Sequence, residues 1–283
     1  MLRPATTADL PAIEAFLADH AESSMFLRAN LRSHGLGRSD SPFAMRLMLS
    51  HQGRVLSGVF GVSAGGYALC QAPEATPDDW SDFAHWLEGR KLVAISGEAR
   101  QIAQAKPALG LTPVSLARDL TEPLYRLDLN DLRADALAPG QLRPPAEGDR
   151  ALLHDWFRAY TIEMMGTPPD RAEAEAAGQA DRALSGGQIR LLEQGGTPVA
   201  MTGFNAPLPD IVQVGGVYTP PDARNRRLAR TAVALHLAEA RERGIQVAVL
   251  FASGPPACRA YEALGFQRIG TYGVAILREP RHA

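Results

Sequence analysis

The chain has little of several features that would place it in a specialised class of protein. Its 283 residues include only two cysteines, Cys70 and Cys258, too few and too far apart in sequence for a disulfide framework. No apolar run approaches the length of about 18 residues that indicates a membrane-spanning helix. The formal net charge is −2, which argues against general electrostatic binding to nucleic acid or to an anionic membrane. We therefore expect neither kind of partner.

Two further signals are missing. No Cys or His spacing is typical of a zinc site, so no metal is expected. The first nine residues lack the hydrophobic segment of a secretion signal, which favours a cytoplasmic protein. Hydrophobic residues make up 46% of the chain and charged residues 21%, as in an ordinary globular protein. A length of 283 residues favours two domains over one.

An internal repeat supports two domains. The segment Leu2–Asp9, which precedes a helical run to Leu17, is echoed by Leu142–Asp149 before a helical run to Phe157. Each copy is typical of a short strand, a turn and an amphipathic helix. The polar, alanine-rich stretch 131–140 is the best candidate for a linker between the copies.

Similar elements follow in each half of the chain. In the N-terminal half, alternation and apolar runs predict strands at 44–49, 54–62, 67–71 and 92–96 and a helix at 78–87. In the C-terminal half they predict a hairpin of 188–193 and 198–205, then strands at 211–219 and 246–252.

The most informative stretch runs from residue 214 to residue 229, where a strand leads through an arginine-rich turn into an amphipathic helix. A helix N-terminus offers backbone N–H groups without intrahelical partners and about half a positive charge, so a phosphate fits there. Four arginines add full charges to the same turn: Arg224, Arg226, Arg227 and Arg230. The alternative interpretation is a solvated basic helix start that binds nothing.

A second segment lies downstream of this turn. The apolar run 246–252 is bounded by Gly244 and by Gly254, as expected for a strand buried on both faces. After it, the segment 257–266 places Tyr261 on a short helix that ends at Gly265-Phe266.

Together these two segments resemble the GCN5-related N-acetyltransferase (GNAT) superfamily. Its pyrophosphate loop reads Gln/Arg-x-x-Gly-x-Gly/Ala, and Arg224 and Ala229 match the first and last positions. Arg227 stands in place of the central glycine, and Asn225 where the family often has another glycine. The resemblance is strong over about residues 141–278 and weak over about residues 1–128. Tyr261 matches the tyrosine of a second family signature.

The resemblance implies an α/β (α+β) fold with mixed sheets, built from two tandem GNAT-like domains. Residues 1–130 would form a degenerate domain, residues 131–140 the linker, and residues 141–283 the domain that binds acetyl-CoA. Nothing between Tyr67 and Asp78 resembles a phosphate loop, because that stretch is acidic and interrupted by proline. The N-terminal domain is therefore expected to serve packing, substrate selection or dimerisation.

Acetyl-CoA, as acyl donor, is the cofactor that the resemblance implies. The residues that it places against the cofactor are Val217, Tyr218, Thr219, Arg224, Asn225, Arg226, Arg227, Leu228, Ala229 and Arg230. The acceptor would be an amine on a small molecule, a peptide or a protein, and a homodimer is possible.

Catalytic roles follow from the same resemblance. The Val217 N–H would polarise the acyl carbonyl, a contribution of a few kcal/mol in a dry cleft. Gly215 and Gly216 would permit a β-bulge and a local opening of the sheet beside it. Tyr261, with an ordinary pKa of about 10, is the candidate general acid for the leaving thiolate.

The general base is left open by the sequence. Glu163 is one candidate, near the end of the first helix of the C-terminal half. His154 and Asp155 lie earlier on that helix, and Tyr218 ends the central strand. Each of these side chains could act directly or through water.

Two alternatives to acetyl transfer remain open. One is transfer of another acyl or aminoacyl group, which other tandem GNAT-like transferases carry out. The other is a non-catalytic module that senses coenzyme A or mediates assembly. Arg227 separates these interpretations, because its side chain either binds the pyrophosphate or fills the space meant for it.

Overall fold

The computed structural model of the protein describes residues 1–37, 40–135 and 137–282. The chain divides into two compact units. The N-terminal unit consists of residues 1–123 together with 270–283, and the C-terminal unit of residues 124–269. No helix within the described residues is long and apolar enough to cross a membrane.

The first half of the chain supplies the following elements: β1 (Arg3–Pro4), α1 (Leu10–Asp19), α2 (Ala21–His34), β2 (Met45–Gln52), β3 (Val55–Ser63), β4 (Tyr67–Gln71), α3 (Pro77–Leu87), β5 (Lys91–Glu98), α4 (Ala99–Ala108) and β6 (Leu116–Asp128). The second half repeats the order with β7 (Gln141–Arg143), α5 (Arg150–Tyr160), a π-helical segment (Thr161–Met165), α6 (Pro169–Gly186), β8 (Ile189–Gln194), β9 (Thr197–Pro207), β10 (Ile211–Tyr218), α7 (Leu228–Glu242), β11 (Val247–Phe251), α8 (Pro255–Glu262) and β12 (Gln267–His282).

Strand order is the same in the two units. In the N-terminal unit the order is β1-β2-β3-β4-β5-β12, and in the C-terminal unit it is β7-β8-β9-β10-β11-β6. One pair in each unit is parallel, β4 with β5 and β10 with β11, and the other pairs are antiparallel. The internal repeat predicted from the sequence is therefore a repeat of topology.

The sixth strand of each unit comes from the other half of the chain. Residues 272–282 of β12 pair with β5, and residues 124–128 of β6 pair with β11. The halves have thus exchanged their last strands. The predicted boundaries, residues 1–130, 131–140 and 141–283, describe the repeat and not these compact units. They stay a prediction, and residues 38, 39, 136 and 283 lie outside the described residues.

Most of the predicted elements are confirmed within a few residues. The predicted strand at 67–71 coincides with β4, and the predicted hairpin is formed by β8 and β9 around Gly195 and Gly196, both at positive φ. Sequence patterns contain no signal for α4, β6 or β12. Gly270, Gly273 and Pro280 interrupt β12, and charges interrupt β6, so neither shows a simple strand pattern.

Hydrophobic cores cover both faces of each unit's sheet. In the N-terminal unit, Trp80 and Phe83 of α3 pack on Phe60 of β3, and α1 and α2 cover the other face. In the C-terminal unit, α7 and α8 pack with β10 and β11 on one core, and α5 and α6 pack on another. These two helical layers of the C-terminal unit flank the end of β10.

A buried histidine lies in the C-terminal unit. His236 of α7 is 1% exposed, its ring stacks on Phe204 at 3.8 Å, and neither ring nitrogen has a hydrogen-bond partner among the described residues. Burial, with the nearby cations Arg190 and Arg243, lowers the pKa of His236 to about 3. The imidazole therefore folds in its neutral form, and its role is structural.

This histidine makes stability depend on pH. The unfolded chain takes up a proton on His236 near pH 6.5, whereas the folded chain does so only near the pKa of about 3. The contribution of neutral His236 to the free energy of unfolding is therefore fully present above pH 6.5 and falls as the pH drops toward 3. The loss is on the order of 3 kcal/mol by pH 4. His236→Leu should remove most of this loss when urea unfolding is measured at pH 7 and pH 4. The control is His51→Leu, which removes an exposed histidine. An equal pH dependence in His236→Leu and in the unaltered protein would contradict this assignment.

Candidate active site

A β-bulge lies at the end of β10. The β9–β10 ladder skips Gly216 and Val217 between the pairs that Gly215 and Tyr218 make with β9, so these two residues face one residue of β9. Gly216 has φ +61°, a left-handed conformation that glycine adopts without steric cost. The bulge expected from the paired glycines is confirmed, and it takes Val217 out of the regular ladder.

The sheet also opens beside this bulge. The parallel ladder between β10 and β11 has three residue pairs and ends at Gln213 and Val249. Beyond Gln213, β10 continues to Tyr218 without pairing to β11. A slot therefore begins between the two strands where backbone groups of β10 leave the ladder. This is the opening that the two glycines indicated.

The turn that follows β10 takes the backbone shape of a glycine-rich loop without containing glycine. Asn225 and Arg227 both have φ +64°, and they are the two non-glycine residues with positive φ among those described. Arg227 precedes α7, and its carbonyl accepts the Thr231 N–H and the Thr231 hydroxyl, each at 3.0 Å. Arg227 thus adopts the left-handed conformation that a glycine would adopt at this position.

The N-terminus of α7 has the properties of an anion site. Its hydrogen-bonded ladder begins with the Thr231 N–H, so the amides of Leu228 to Arg230 precede the ladder. These residues carry no acidic side chain, and the helix macrodipole places partial positive charge at this end. The corresponding helix of the N-terminal unit differs. There, Thr76 and Asp79 form a capping box, and Asp78 adds a second negative charge.

The arginines of the turn make separate contacts. Arg224 donates from Nε to the Thr219 carbonyl at 3.0 Å and from Nη2 to Glu163 Oε2 at 2.6 Å. Its guanidinium carbon lies 5.8 Å from the centre of the Tyr218 ring. Arg226 donates to the side-chain oxygen of Gln194 at 3.0 Å. The structure therefore brings Glu163, Tyr218 and Arg224 together.

Glu163 lies on an unusual piece of helix. After α5, residues Thr161–Met165 form a π-helical turn that ends at Gly166 with φ +64°. Single π-helical turns are rare in proteins, and those that occur often lie at functional sites. Burial and the Glu163 carboxylate raise the pKa of Tyr218, with Arg224 opposing the shift, so this phenol is neutral at physiological pH.

Val217 and Tyr261 border the same hydrophobic core. Both are partly buried against the cluster formed by β10, β11, α7 and α8. The Tyr261 ring packs edge-on to Phe266 at 5.9 Å, and the Phe266 N–H bonds to the Tyr261 carbonyl at 3.2 Å. The short α8 follows Gly254, at φ +82°, and opens with two prolines, which fix the start of the helix that carries Tyr261.

A contact that the sequence did not predict anchors this helix. The Tyr125 hydroxyl on β6 donates to Glu262 Oε1 at 2.6 Å, next to Tyr261 in sequence. This hydrogen bond is the largest cause of the raised pKa of Tyr125. The two residues are separated by 137 positions, and no sequence motif joins them.

His154 and Asp155 belong to a different cluster. His154 lies 3.3 Å from Glu173 of α6 and 3.7 Å from Asp155, on the face of α5 that packs toward α6. Both line a groove of 580 Å³ whose walls include Glu147, Arg150 and Asp181. Of the four candidate bases, Glu163 and Tyr218 contact Arg224. His154 and Asp155 instead line this groove. Within the described residues, no group of three or more potential metal ligands comes together.

The slot of the N-terminal unit is closed by its own side chains. Its parallel ladder, β4 with β5, also has three residue pairs and ends at Leu69 and Ser96. Just past β4, the Ala72 N–H donates to the side-chain oxygen of Gln101 at 2.7 Å. The backbone amide at the opening is therefore occupied by a buried amide from α4.

Part of the C-terminal unit matches a known protein family. Residues 150–266 match the model of the Acetyltransferase (GNAT) family. This match covers less than half of the chain, and the fold of the chain is that of two tandem GNAT-like domains.

Solved structures support this fold. A Drosophila protein from a structural genomics consortium aligns with TM-score 0.63 at 12% identity, covering 98% of each chain. A GCN5-related N-acetyltransferase from Sphaerobacter thermophilus gives 0.59 at 16% identity, covering 97% of this chain and 94% of that one. A tandem GNAT protein from the clavulanic acid biosynthesis pathway gives 0.53 at 12% identity, covering 97% of each. No curated protein gave a significant match.

The bulge should depend on the left-handed glycine. A β-carbon at Gly216 would lie 3.8 Å from Ile189 Cδ1, an ordinary contact, so backbone strain and not a clash opposes substitution. Gly216→Ala should lower the free energy of unfolding in urea by about 1 kcal/mol. Gly186→Ala, at an open position in α6 without positive φ, is the matched control and should be neutral or stabilising. Equal free energies of unfolding for Gly216→Ala and Gly186→Ala would contradict a cost from the left-handed backbone at residue 216.

Proposed function

We propose that the C-terminal unit is an N-acetyltransferase that moves the acetyl group of acetyl-CoA to an amine of a small molecule, a peptide or a protein. The observation that carries the proposal is the turn before α7. It combines a left-handed backbone at Asn225 and Arg227, amides that precede the helix ladder, and several arginines. This combination suits the phosphates of a nucleotide cofactor.

The slot between β10 and β11 supports the same proposal. It lies directly before the turn, so a cofactor whose phosphates rest on the turn could extend its thioester arm along β10. Val217 sits in the bulge, and we assign its N–H to the acyl carbonyl oxygen. Tyr218 and Thr219 would line the same arm. Acetyl-CoA supplies an activated acyl group and a thiolate leaving group.

Two side chains complete the proposed chemistry. Tyr261, on the anchored α8, is proposed as the general acid for the leaving thiolate. Glu163 is proposed as the group that accepts a proton from the acceptor amine, since it lies beside Tyr218 at the end of β10. Neither Tyr261 nor Glu163 is proposed to bind the phosphates of the cofactor.

The N-terminal unit is proposed to bind no acetyl-CoA. Its helix after β4 is capped internally and carries Asp78 and Asp79 in its first turn, which disfavours phosphate, whereas the first turn of α7 carries Arg230 and no acidic residue. Gln101 holds the backbone amide at its slot. Acceptor selection or homodimer formation are the roles that we propose for it.

Cofactor binding tests the phosphate site. Calorimetric titration with acetyl-CoA should give one site per chain, and Arg227→Ala should weaken affinity by about tenfold, as expected for loss of a charge-assisted contact. Arg46→Ala, which removes an exposed arginine of β2, is the control and should bind like the unaltered protein. Equal affinity in Arg227→Ala would mean that the backbone of the turn and its other arginines hold the phosphates without Arg227. No binding at all would favour a repurposed loop without acetyl transfer.

Tyr261 can be tested separately from binding. Tyr261→Phe should lower turnover by about tenfold to a hundredfold and leave acetyl-CoA affinity nearly intact, because only the proton donor is lost. Free coenzyme A released during turnover with an amine acceptor would be measured, with exposed Tyr67→Phe as the control. Unchanged turnover where chemistry limits the rate would remove Tyr261 from the mechanism. Binding without turnover on any amine would favour a non-catalytic module.

A further inference from the structure

Arg224 makes three contacts within the C-terminal unit. Its guanidinium contacts the Thr219 carbonyl, the Glu163 carboxylate and the face of the Tyr218 ring. These contacts draw it toward the end of β10 and the turn after α5. The planar fork of arginine donors fixes direction as well as charge, so its two hydrogen bonds and the ring contact define the orientation of the guanidinium.

The Glu163 carboxylate is exposed and belongs to the π-helical segment Thr161–Met165. In the π-helical turn, the Gly166 N–H bonds to the Ile162 carbonyl at 3.0 Å, and the Thr167 N–H reaches the Thr161 carbonyl at 3.4 Å. The segment then leaves the helix through a left-handed glycine. The 2.6 Å ion pair with Arg224 is a contact from outside this segment that holds the Glu163 side chain.

We propose that Arg224 is a positioning residue for Glu163, and that the cofactor phosphates are left to the backbone of the turn and its other arginines. The guanidinium ties the π-helical turn to the end of β10 and presents the Glu163 carboxylate beside the Tyr218 phenol. The inference rests on the proposed function, since Glu163 gains its chemical role from amine transfer. Arg224 thus has a different role from the arginines that follow it in the turn.

Energetics favour positioning over stability as the reason for this pair. The two side chains are 43% and 38% exposed, and an exposed ion pair contributes about 1 kcal/mol or less to folding. The same contact can restrict a carboxylate to the reach of an incoming amine, where misplacement by about 1 Å is costly for catalysis. An acceptor that arrives as an ammonium ion also meets a carboxylate there, which matches its charge.

The test compares Arg224→Gln, Glu163→Gln, the double variant and Arg224→Lys with the unaltered protein. Glu173→Gln is the control, because it removes a carboxylate from another exposed ion pair, with Arg158. Three quantities are measured: calorimetric affinity for acetyl-CoA, hydrogen–deuterium exchange of residues 161–168, and kcat and KM with an amine acceptor.

We expect Arg224→Gln to change acetyl-CoA affinity by no more than about twofold. Exchange of residues 161–168 should be faster in both single variants than in the unaltered protein. The double variant should exchange no faster than the single variants, and the control should be unchanged. With an acceptor, each single variant should lower kcat/KM by about tenfold or more, and the two losses should not add. Arg224→Lys should recover part of this loss, because it keeps the charge without the fork.

A loss of acetyl-CoA affinity of about fivefold or more in Arg224→Gln would overturn the inference, because Arg224 would then be a phosphate ligand. Unaltered exchange of residues 161–168 in Arg224→Gln would overturn it as well, since the pair would not hold the segment. Failure of the unaltered protein to bind acetyl-CoA would instead refute the proposed function. The exchange measurement would still decide whether Arg224 holds Glu163.

Discussion

The left-handed backbone at Asn225 and Arg227 is the constraint on which the candidate site depends. Left-handed geometry costs most residues with a side chain about 1–2 kcal/mol, and asparagine less. Here it is adopted by Asn225 and again by Arg227. It lies where the chain passes from the end of β10 into the N-terminus of α7. Strain of this size is retained where the surrounding structure fixes it, and the Thr231 contacts to the Arg227 carbonyl provide that fixation.

The two units show how one topology can carry different chemistry. Both have a parallel ladder of three residue pairs that opens at its end. In one unit the opening leads to an arginine turn and an uncapped helix. In the other, Gln101 bonds to the amide at the opening and Thr76 caps the following helix. The difference lies in a few polar side chains, because the strands that frame both openings are built from the same order of pairings.

Local features of the candidate site were predictable from the sequence. Gly215 and Gly216 indicated the bulge, and the arginine turn indicated a helix start, since each signal lies within a few residues. The pairs Arg224–Glu163 and Tyr125–Glu262 were not predictable, because their members lie 61 and 137 residues apart and meet only through tertiary packing. The same limit applies to β6 and β12, whose partners are set by topology and not by their own patterns. Sequence alone also left four base candidates equal, and the contact with Arg224 is what distinguishes Glu163 and Tyr218 from His154 and Asp155.

The exchange of strands has a consequence for folding during synthesis. The edge of β5 (Lys91–Glu98) is covered by residues 272–282, which are synthesised more than 170 residues later. A nascent chain can therefore assemble β1 to β5 early but leaves one sheet edge open until β12 has been synthesised, although domains usually fold N-terminal first. Open strand edges invite pairing with other chains. The nascent chain is thus exposed to misassembly throughout the synthesis of the C-terminal unit, and the pairing of β12 with β5 ends that exposure.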